Sequence, residues 1–434
     1  MVAKRYCVIG AGAAGICAAK YVLQEPVGTA EVVVYEQTTQ VGGTWVYTDK
    51  VGTDQNGLPI HSSMYEGLWT NLPKEVMGFA DFEMPAQRRS YIPSSEVLEF
   101  LKSYANHFNV VDHVQFEHLV EEVKPIEKSG RWNVTVKDIR NNTTKSESFD
   151  YVIVSNGHYF EPLTPGYEGL EIFEGTQLHS HNYRSPSIFQ DRKVLIIGAG
   201  PSGKDLIFAA AKYAKNVYFS HHVHEKLKHT KLPDKVVQVA DVQRLHKHTV
   251  EFTDGSCYEV DFILYCTGYY FSFPFLSPDC GIQVEDSWVK PLFKHIININ
   301  NPTMAFIGIP YHVCTSPMFD LQVRFTLQFY SDRKQLPTQK EMIQDYEAEM
   351  EARWSRGLAK RKAHQMGGEV QAAYYADLAK TAGIEPMPVV IPRMHIASNK
   401  RKNEDLATYR NDVFRVLDDE RFEISYDAEL GFGH

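Results

Sequence analysis

Apolar residues in this chain come in short runs that end abruptly on glycine or on a polar turn, and stretches with helical spacing lie between them. The first run, Tyr6-Cys7-Val8-Ile9, leads into Gly10-Ala11-Gly12-Ala13-Ala14-Gly15. Residues 16–24 then carry a helical pattern, and a second run, Val32-Val33-Val34-Tyr35, ends on Glu36. Residues 94–104 place Val97, Leu98, Leu101 and Tyr104 at helical spacing behind a Ser-Glu start, which predicts an amphipathic helix. Residues 114–126, 132–138 and 148–154 alternate or run apolar and predict strands, as do the later runs 194–197, 217–219, 262–266 and 304–309. Thr338 to Glu341 forms a capping box that opens a long helix with Met342, Tyr346, Met350 and Trp354 on one face, read as core or subunit contact. Another helix starts over residues 374–378. Strands alternating with helices in this order predict an α/β fold.

The glycine turns add chemistry to the pattern. In residues 10–15 the three glycines answer separate needs: a tight turn, close backbone approach to a pyrophosphate, and packing of helix on strand. The helix N-terminus then offers free N–H groups and the positive end of its dipole to phosphates. Glu36 lies about 21 residues beyond Gly15, where a carboxylate accepts ribose hydroxyls and repels a 2′-phosphate, so this unit favours FAD or NAD over NADP. Val194-Leu195-Ile196-Ile197 opens a second unit, Gly198-Ala199-Gly200-Pro201-Ser202-Gly203, with Lys204-Asp205 continuing into its helix. Two such units imply two dinucleotides. Here the following strand runs into Ser220-His221-His222, with no acid where Glu36 stands in the first unit. A hydroxyl and imidazoles, with Lys226 and Lys228 nearby, suit a 2′-phosphate better than they suit a merely solvated loop.

Composition sets bounds on the rest. The chain has 434 residues, enough for two or three domains, with 43% hydrophobic residues, 23% charged and a formal charge of −9. The acidic balance argues against nucleic acid as a partner. No run approaches the length needed to span a bilayer, and the sequence passes from Met1 almost directly into a core strand, leaving no room for a signal peptide. The six cysteines form no close pair and read as reduced thiols, so a cytoplasmic protein is expected, with a homo-oligomer left open. No Ser/His/Asp array, metal-spaced cluster or carboxylate pair appears among the motifs.

Two further stretches can face a ligand. Paired glycines in Val41-Gly42-Gly43-Thr44-Trp45 permit close backbone approach, with Trp45 as an apolar wall; the plainer reading is a glycine turn beside a core tryptophan. Asn71 stands in an apolar neighbourhood before Pro73, where its amide is a structural cap or a donor to a ligand.

These residues resemble the flavin-containing monooxygenases, in particular the insect-type enzymes that N-oxygenate alkaloids. The resemblance rests on residues 10–15, on Glu36 followed by Gly42-Gly43-Thr44-Trp45, and on Thr70-Asn71-Leu72-Pro73-Lys74-Glu75. It continues through Phe173, Gly175, His179 and Tyr183, which fit the pattern FxGxxxHxxxY; this stretch reads as a linker, and His179 is not assigned to catalysis. The related Baeyer–Villiger enzymes close that pattern with Trp in place of Tyr183.

The resemblance implies an FAD domain built from residues 1–165 and 296–434, with an NADP domain of residues 166–295 inserted. FAD contacts are implied at Gly10, Gly12, Ala13, Ala14, Gly15, Glu36, Gly43, Thr44, Trp45, Thr70, Asn71 and Leu72. Val123 is placed like a backbone contact to adenine, with plain core valine as the alternative, and Gln322 in Ser316-Pro317-Met318-Phe319-Asp320-Leu321-Gln322 matches a third flavin contact. For NADPH the implied contacts are Gly198, Gly200, Ser202, Gly203, Lys204, Asp205, Ser220, His222 and Thr267, although the family usually carries Arg near His222. The implied chemistry is reduction of FAD by NADPH, capture of O₂ as a C4a-hydroperoxide, and oxygen transfer to a soft nucleophile, with Asn71 as the catalytic hydrogen-bond donor. Tertiary-amine plant alkaloids such as the pyrrolizidines are the expected substrates; ketone insertion and S-oxygenation are the alternatives. No hydrophobic tail of the kind that anchors some relatives to membranes is found. A pyridine nucleotide–disulfide reductase shares two nucleotide folds but needs a close cysteine pair, which this chain lacks.

Overall fold

The computed structural model describes residues 3–223, 227 and 230–432. Its larger sheet has seven strands in the order Leu292–Phe293, Ile297–Asn298, Met304–Phe306, Tyr151–Val154, Lys4–Ile9, Ala30–Glu36 and Val114–Phe116. The last five are parallel neighbours, and the first two add an antiparallel edge. Alternation along each strand sends side chains to two different cores. Tyr6, Val8, Val32, Val34 and Ile153 face a helical layer that includes Ile16 and Cys17 of the Ala13–Leu23 helix, Leu101 of Ser94–His107, Leu321 and Phe325 of Thr315–Tyr330, and Leu378 of Gly368–Ala382. Cys7, Ile9, Tyr35, Val152 and Val154 face Trp132, Val134, Val136 and Phe149 on the antiparallel meander His118–Pro125, Trp132–Asp138, Thr143–Phe149.

The second sheet repeats this plan. Its five parallel strands run Val236–Val239, Asn216–Ser220, Lys193–Ile197, Phe262–Tyr265, Thr176–His179. Val194 and Ile196 pack on Leu206, Ile207 and Phe208 of the Pro201–Tyr213 helix, whereas Leu195 and Ile197 pack on Val242, Leu245, Val250 and Phe252 of a second meander. Strands buried on both faces in this way read in sequence as unbroken apolar runs, which is how they were legible. The chain enters and leaves this unit side by side: Glu161–Pro162 pairs antiparallel with Tyr269–Tyr270, and the Leu163 N–H donates to the Gly268 carbonyl at 2.9 Å.

Three expectations need correction. The unit expected to close at residue 295 returns at the Tyr269–Tyr270 ribbon, because Phe271, Phe275, Cys280, Val289 and Leu292 all pack in the core of the larger sheet. Residues 148–154 are two strands in different sheets, since Asp150 turns the chain by exchanging backbone and side-chain hydrogen bonds with Arg5. Residues 114–126 are likewise broken at Glu117, which takes φ +58°. Thr338 and Glu341 do form a reciprocal capping box at the start of Gln339–Trp354, where Met342 and Met350 are buried. Among the described residues no helix is long and apolar enough to cross a membrane.

Candidate functional site

The two glycine turns have nearly the same geometry. Gly10 and Gly198 take φ +98° and +107°, and their N–H groups donate to Tyr35 and Ser220 of the neighbouring strand at 2.8 Å each. A Cβ on Gly15 would lie 1.8 Å from the Gly10 carbonyl oxygen, and a Cβ on Gly203 the same distance from that of Gly198, so both positions require glycine for the helix to pack. Gly12 and Gly200 are extended N-cap residues without a side-chain cap. Each helix therefore begins with free N–H groups and the positive end of its dipole, the arrangement that binds phosphates.

Around the first turn the sequence builds a backbone cradle. Gly42 donates to the Ala11 carbonyl at 3.0 Å, and a Cβ on Gly43 would come within 2.9 Å of the Gly12 Cα, so Gly43, Thr44 and Trp45 begin a short 3₁₀ turn laid directly on the glycine turn. Buried Glu36 holds the cradle together. One carboxylate oxygen accepts from the Ala11 N–H at 2.8 Å, and the other accepts from the Thr38 N–H and hydroxyl at 2.8 and 2.7 Å. The hydroxyls of Thr44 and Ser155 are buried with no partner among the described residues, and the Ser155 carbonyl lies 2.7 Å from where a Gly10 Cβ would stand. Orphaned buried hydroxyls beside an uncapped helix end fit a polar ligand such as the ribityl and phosphate part of FAD.

At the second turn, sheet register identifies the counterpart of Glu36. Ile9 pairs with Tyr35 and Ile197 pairs with Ser220, so His221, one residue further, occupies the place of Glu36. No carboxylate stands there to repel a 2′-phosphate. The Ser220 hydroxyl is buried and donates to the Ala240 carbonyl at 2.8 Å. His221 is also buried, with Nε2 3.0 Å from Gln238 Oε1. His222 is exposed and pairs with Asp241 at 2.8 Å. Lys226 and Lys228 lie outside the described residues.

Between the two turns runs a buried ionic contact. The Arg410 guanidinium, 3% exposed, donates to both Asp205 oxygens at 2.7 and 2.9 Å and to the Thr70 carbonyl at 2.9 Å. The Tyr65 hydroxyl completes the Asp205 carboxylate at 3.0 Å. Asp205 is thus a tie between the second unit and residues 65–70. Lys204 likewise reaches out of its unit, donating to Asn403 Oδ1 at 2.8 Å. Arg410 and Tyr65 were missed in the sequence because nothing local marks them; their partner is more than 100 residues away in each case.

Asn71 follows this tie directly. Thr70 is fixed by two hydrogen bonds to Ile92, and Leu72 packs on Val76, Tyr91 and Ile92. The 3₁₀ turn Lys74–Val76 has Pro73 as its N-cap and no side-chain cap, so Asn71 does not cap it. Among the described residues nothing hydrogen-bonds the Asn71 amide.

Three other expected contacts are spent on the fold. Val123 is fully buried; its N–H donates to Phe275 at 2.7 Å and its carbonyl accepts from Ser277 at 3.0 Å, so neither backbone group is free for adenine. Gln322 is fully buried too, accepting from the Gly308 N–H at 2.9 Å and donating to the Tyr374 hydroxyl at 2.8 Å. It shapes the loop after Met304–Phe306 with its carbonyl and one of its two N–H donors. The Thr267 hydroxyl donates to the Leu163 carbonyl, although the Thr267 backbone lies against the second glycine turn. Ser202 opens the Pro201–Tyr213 helix beside that turn. His179 is satisfied at both nitrogens, by the Gly268 carbonyl at 3.1 Å and the His181 N–H at 3.1 Å, and Tyr183 stacks on Phe189 in the core.

Beyond Ser155 the chain packs a group of neutral rings. Burial pushes His158 down to about 4, and burial with His181 nearby does the same for His61. His158 Nε2 is buried without a partner among the described residues; its ring leans on Phe271, and His61 stacks on Phe160.

Comparison with known proteins agrees with this geometry. The sequence matches the family profile described as flavin-binding monooxygenase-like over residues 3–225 and 221–392. It is 30% identical to senecionine N-oxygenase of Tyria jacobaeae over 98% of this chain and 92% of that protein. It is 36% identical to flavin-containing monooxygenase FMO GS-OX5 of Arabidopsis thaliana, over 87% and 85% of the two chains. Among solved structures, S-allyl-L-cysteine S-oxygenase from Allium sativum superposes with a TM-score of 0.88 at 34% identity, covering 94% of this chain and 95% of the other.

Proposed function

The chain belongs to the flavin-binding monooxygenase-like family, and from that premise we propose that it oxygenates tertiary-amine alkaloids at nitrogen, with the pyrrolizidines as the leading class. It is a flavin-containing monooxygenase using FAD and NADPH. FAD bound here would take two electrons from NADPH and use them to activate O₂, one oxygen atom passing to a nucleophile and the other leaving as water. The protein's own part is to bind, orient and keep water out. We assign FAD to the turn at residues 10–15, with Glu36 taking ribose hydroxyls and Gly43, Thr44 and Trp45 closing over the chain of the cofactor. NADPH is assigned to the turn at residues 198–203, with Thr267 beside it. Asn71 is assigned to the junction, its amide donating toward the cofactors while Arg410 holds the preceding peptide.

The observation that carries the substrate reading is the group of neutral rings after Ser155, where His61 and His158 stay uncharged beside Phe160 and Phe271. Such a wall lowers the pKa of a buried amine and favours its free base, the form that reacts. Likeness to a senecionine N-oxygenase along nearly the whole chain supports the same class. A second reading, S-oxygenation of thioethers, is favoured by the likeness to S-allyl-L-cysteine S-oxygenase. The test presents the FAD-loaded protein with NADPH, O₂ and, in turn, a pyrrolizidine alkaloid, a thioether and a cyclic ketone, with products identified by mass. N-oxide as main product supports the proposal; sulfoxide or lactone as main product overturns it.

A further inference from the structure

We propose that Arg410 is a positioning residue for oxygen transfer: it grips Asp205 and the Thr70 carbonyl at once, and so sets the Asn71 amide by the place of the second glycine turn. This rests on the roles given above to Asn71 and to residues 198–203. Asn71 lies at a seam between the two units. Before it, residues 65–70 are held on the second unit: the Tyr65 ring meets Tyr183 edge-on at 5.3 Å, its hydroxyl donates to Asp205 at 3.0 Å, and the Glu66 N–H donates to the Arg184 carbonyl at 2.8 Å. After it, Leu72 packs with Val76, Tyr91 and Ile92 of the first unit.

Thr70 is held from both sides. Its N–H donates to the Ile92 carbonyl at 2.9 Å, its hydroxyl accepts from the Ile92 N–H at 3.1 Å, and its carbonyl accepts from Arg410 Nε at 2.9 Å. The gripped carbonyl belongs to the peptide plane that leads into Asn71, so a shift of Arg410 turns that plane and the residue after it. On the other side, Arg410 Nη2 donates to both Asp205 oxygens at 2.7 and 2.9 Å. Asp205 stands two residues beyond Gly203, in a helix fixed to its own turn: the Lys204 N–H donates to the Gly200 carbonyl at 3.1 Å, and Gly203 packs on the Gly198 carbonyl. The carboxylate therefore marks where the turn sits.

The link is stiff for two reasons. Arg410 is buried, with the rings of Tyr409 and Phe432 at 4.9 and 5.2 Å from its guanidinium. Parting it from Asp205 leaves a buried charge unpaired, which costs more than carrying a hydrogen-bonded peptide along, so movement of the second unit passes to residue 70. Shape is the other reason. Nε and Nη2 share one edge of a rigid plane and serve two acceptors in fixed directions, whereas a lysine ammonium keeps the charge as a single point on a flexible stem.

The test is a double-mutant cycle on NADP⁺ affinity, measured calorimetrically on FAD-loaded protein, with H₂O₂ released per NADPH consumed as a second reading. Asn71→Ala should weaken NADP⁺ about 2-fold to 10-fold, the worth of one hydrogen bond, and Arg410→Lys should do the same and raise the peroxide yield. The doubly substituted protein should match Asn71→Ala alone in both readings, because Arg410 acts through that amide. A residue that only stabilises the fold would multiply the two losses instead. FAD content reports the fold. Where Arg410→Lys loses flavin, Tyr65→Phe takes its place: it removes one Asp205 donor without changing shape, and should weaken NADP⁺ in the parent background but not beside Asn71→Ala. Multiplied losses in the cycle, or parent-like affinity and peroxide yield in the variant used, would overturn the role of Arg410. Parent-like behaviour of Asn71→Ala would overturn the assignment of Asn71, and absence of NADP⁺ binding by the parent that of residues 198–203; either result removes this proposal with it.

Discussion

Gly12→Ala separates folding from cofactor binding. Gly12 sits at φ −72°, which alanine adopts without strain, and a Cβ there would meet its nearest neighbour, the Gly43 Cα, at 3.6 Å, an ordinary contact. Alanine is a poorer N-cap than glycine by a few tenths of a kcal/mol to about 1, and it gains about 0.4–1 kcal/mol by restricting the unfolded chain, so the apoprotein should be nearly unchanged in stability. The added methyl nevertheless lies on the turn that the pyrophosphate must approach. Losing two charge-assisted N–H contacts, each about 1.5–3 kcal/mol, costs roughly 3–6 kcal/mol, or about 100-fold to 20,000-fold in affinity. Gly15→Ala should behave differently, because its Cβ at 1.8 Å from the Gly10 carbonyl forces helix and strand apart before any ligand is present. The assay is flavin absorbance after gel filtration, together with urea unfolding of the apoproteins. A fully yellow Gly12→Ala protein, or one whose apo form is as damaged as Gly15→Ala, would refute the placement of the pyrophosphate.

Asn71→Ala should keep FAD and reduction by NADPH yet release most of the consumed O₂ as H₂O₂, measured by peroxide assay against product; unchanged coupling would remove Asn71 from the junction. His221→Asp puts a carboxylate at the counterpart of Glu36 and should reverse coenzyme preference, since a like charge about 4 Å away costs up to about 4 kcal/mol. An unaltered ratio of kcat/KM for NADPH and NADH would show that the 2′-phosphate lies elsewhere. Burial pushes the Glu147 carboxyl up, but donors on Arg5, Lys145 and Tyr35 outweigh it and hold it at about 2. Its contribution to stability is complete above the unfolded value near 4.3 and is lost as pH falls toward about 2, so Glu147→Gln should flatten the fall in urea midpoint between about pH 5 and 3. The same slope in parent and variant would assign the acid sensitivity to other carboxylates.

What the sequence made legible was what neighbouring residues decide. Both glycine turns, the strands of residues 4–9 and 193–197 and the capping box at Thr338 depend on spacing within a few residues, and each appears in the fold. The hidden parts depend on partners far along the chain. Nothing near Asp205 announces that Arg410 will take its carboxylate, and Gln322 reads as a free donor until Gly308 and Tyr374 close on it. His221 could be matched to Glu36 only through the strand register, which moved attention from Ser220. Residues 271–295 read as part of the inserted unit because the short ribbon that marks the return, Tyr269–Tyr270, carries no turn signal of its own.

The most direct test of a two-dinucleotide monooxygenase is an isotope experiment. FAD-loaded protein turns over a pyrrolizidine alkaloid with NADPH under isotopically heavy dioxygen, and product mass is compared with coenzyme consumed. The account predicts one heavy oxygen atom in each N-oxide and one NADPH used for each product formed. An N-oxide carrying only light oxygen from water, or NADPH oxidised with no heavy atom in any organic product, would contradict it.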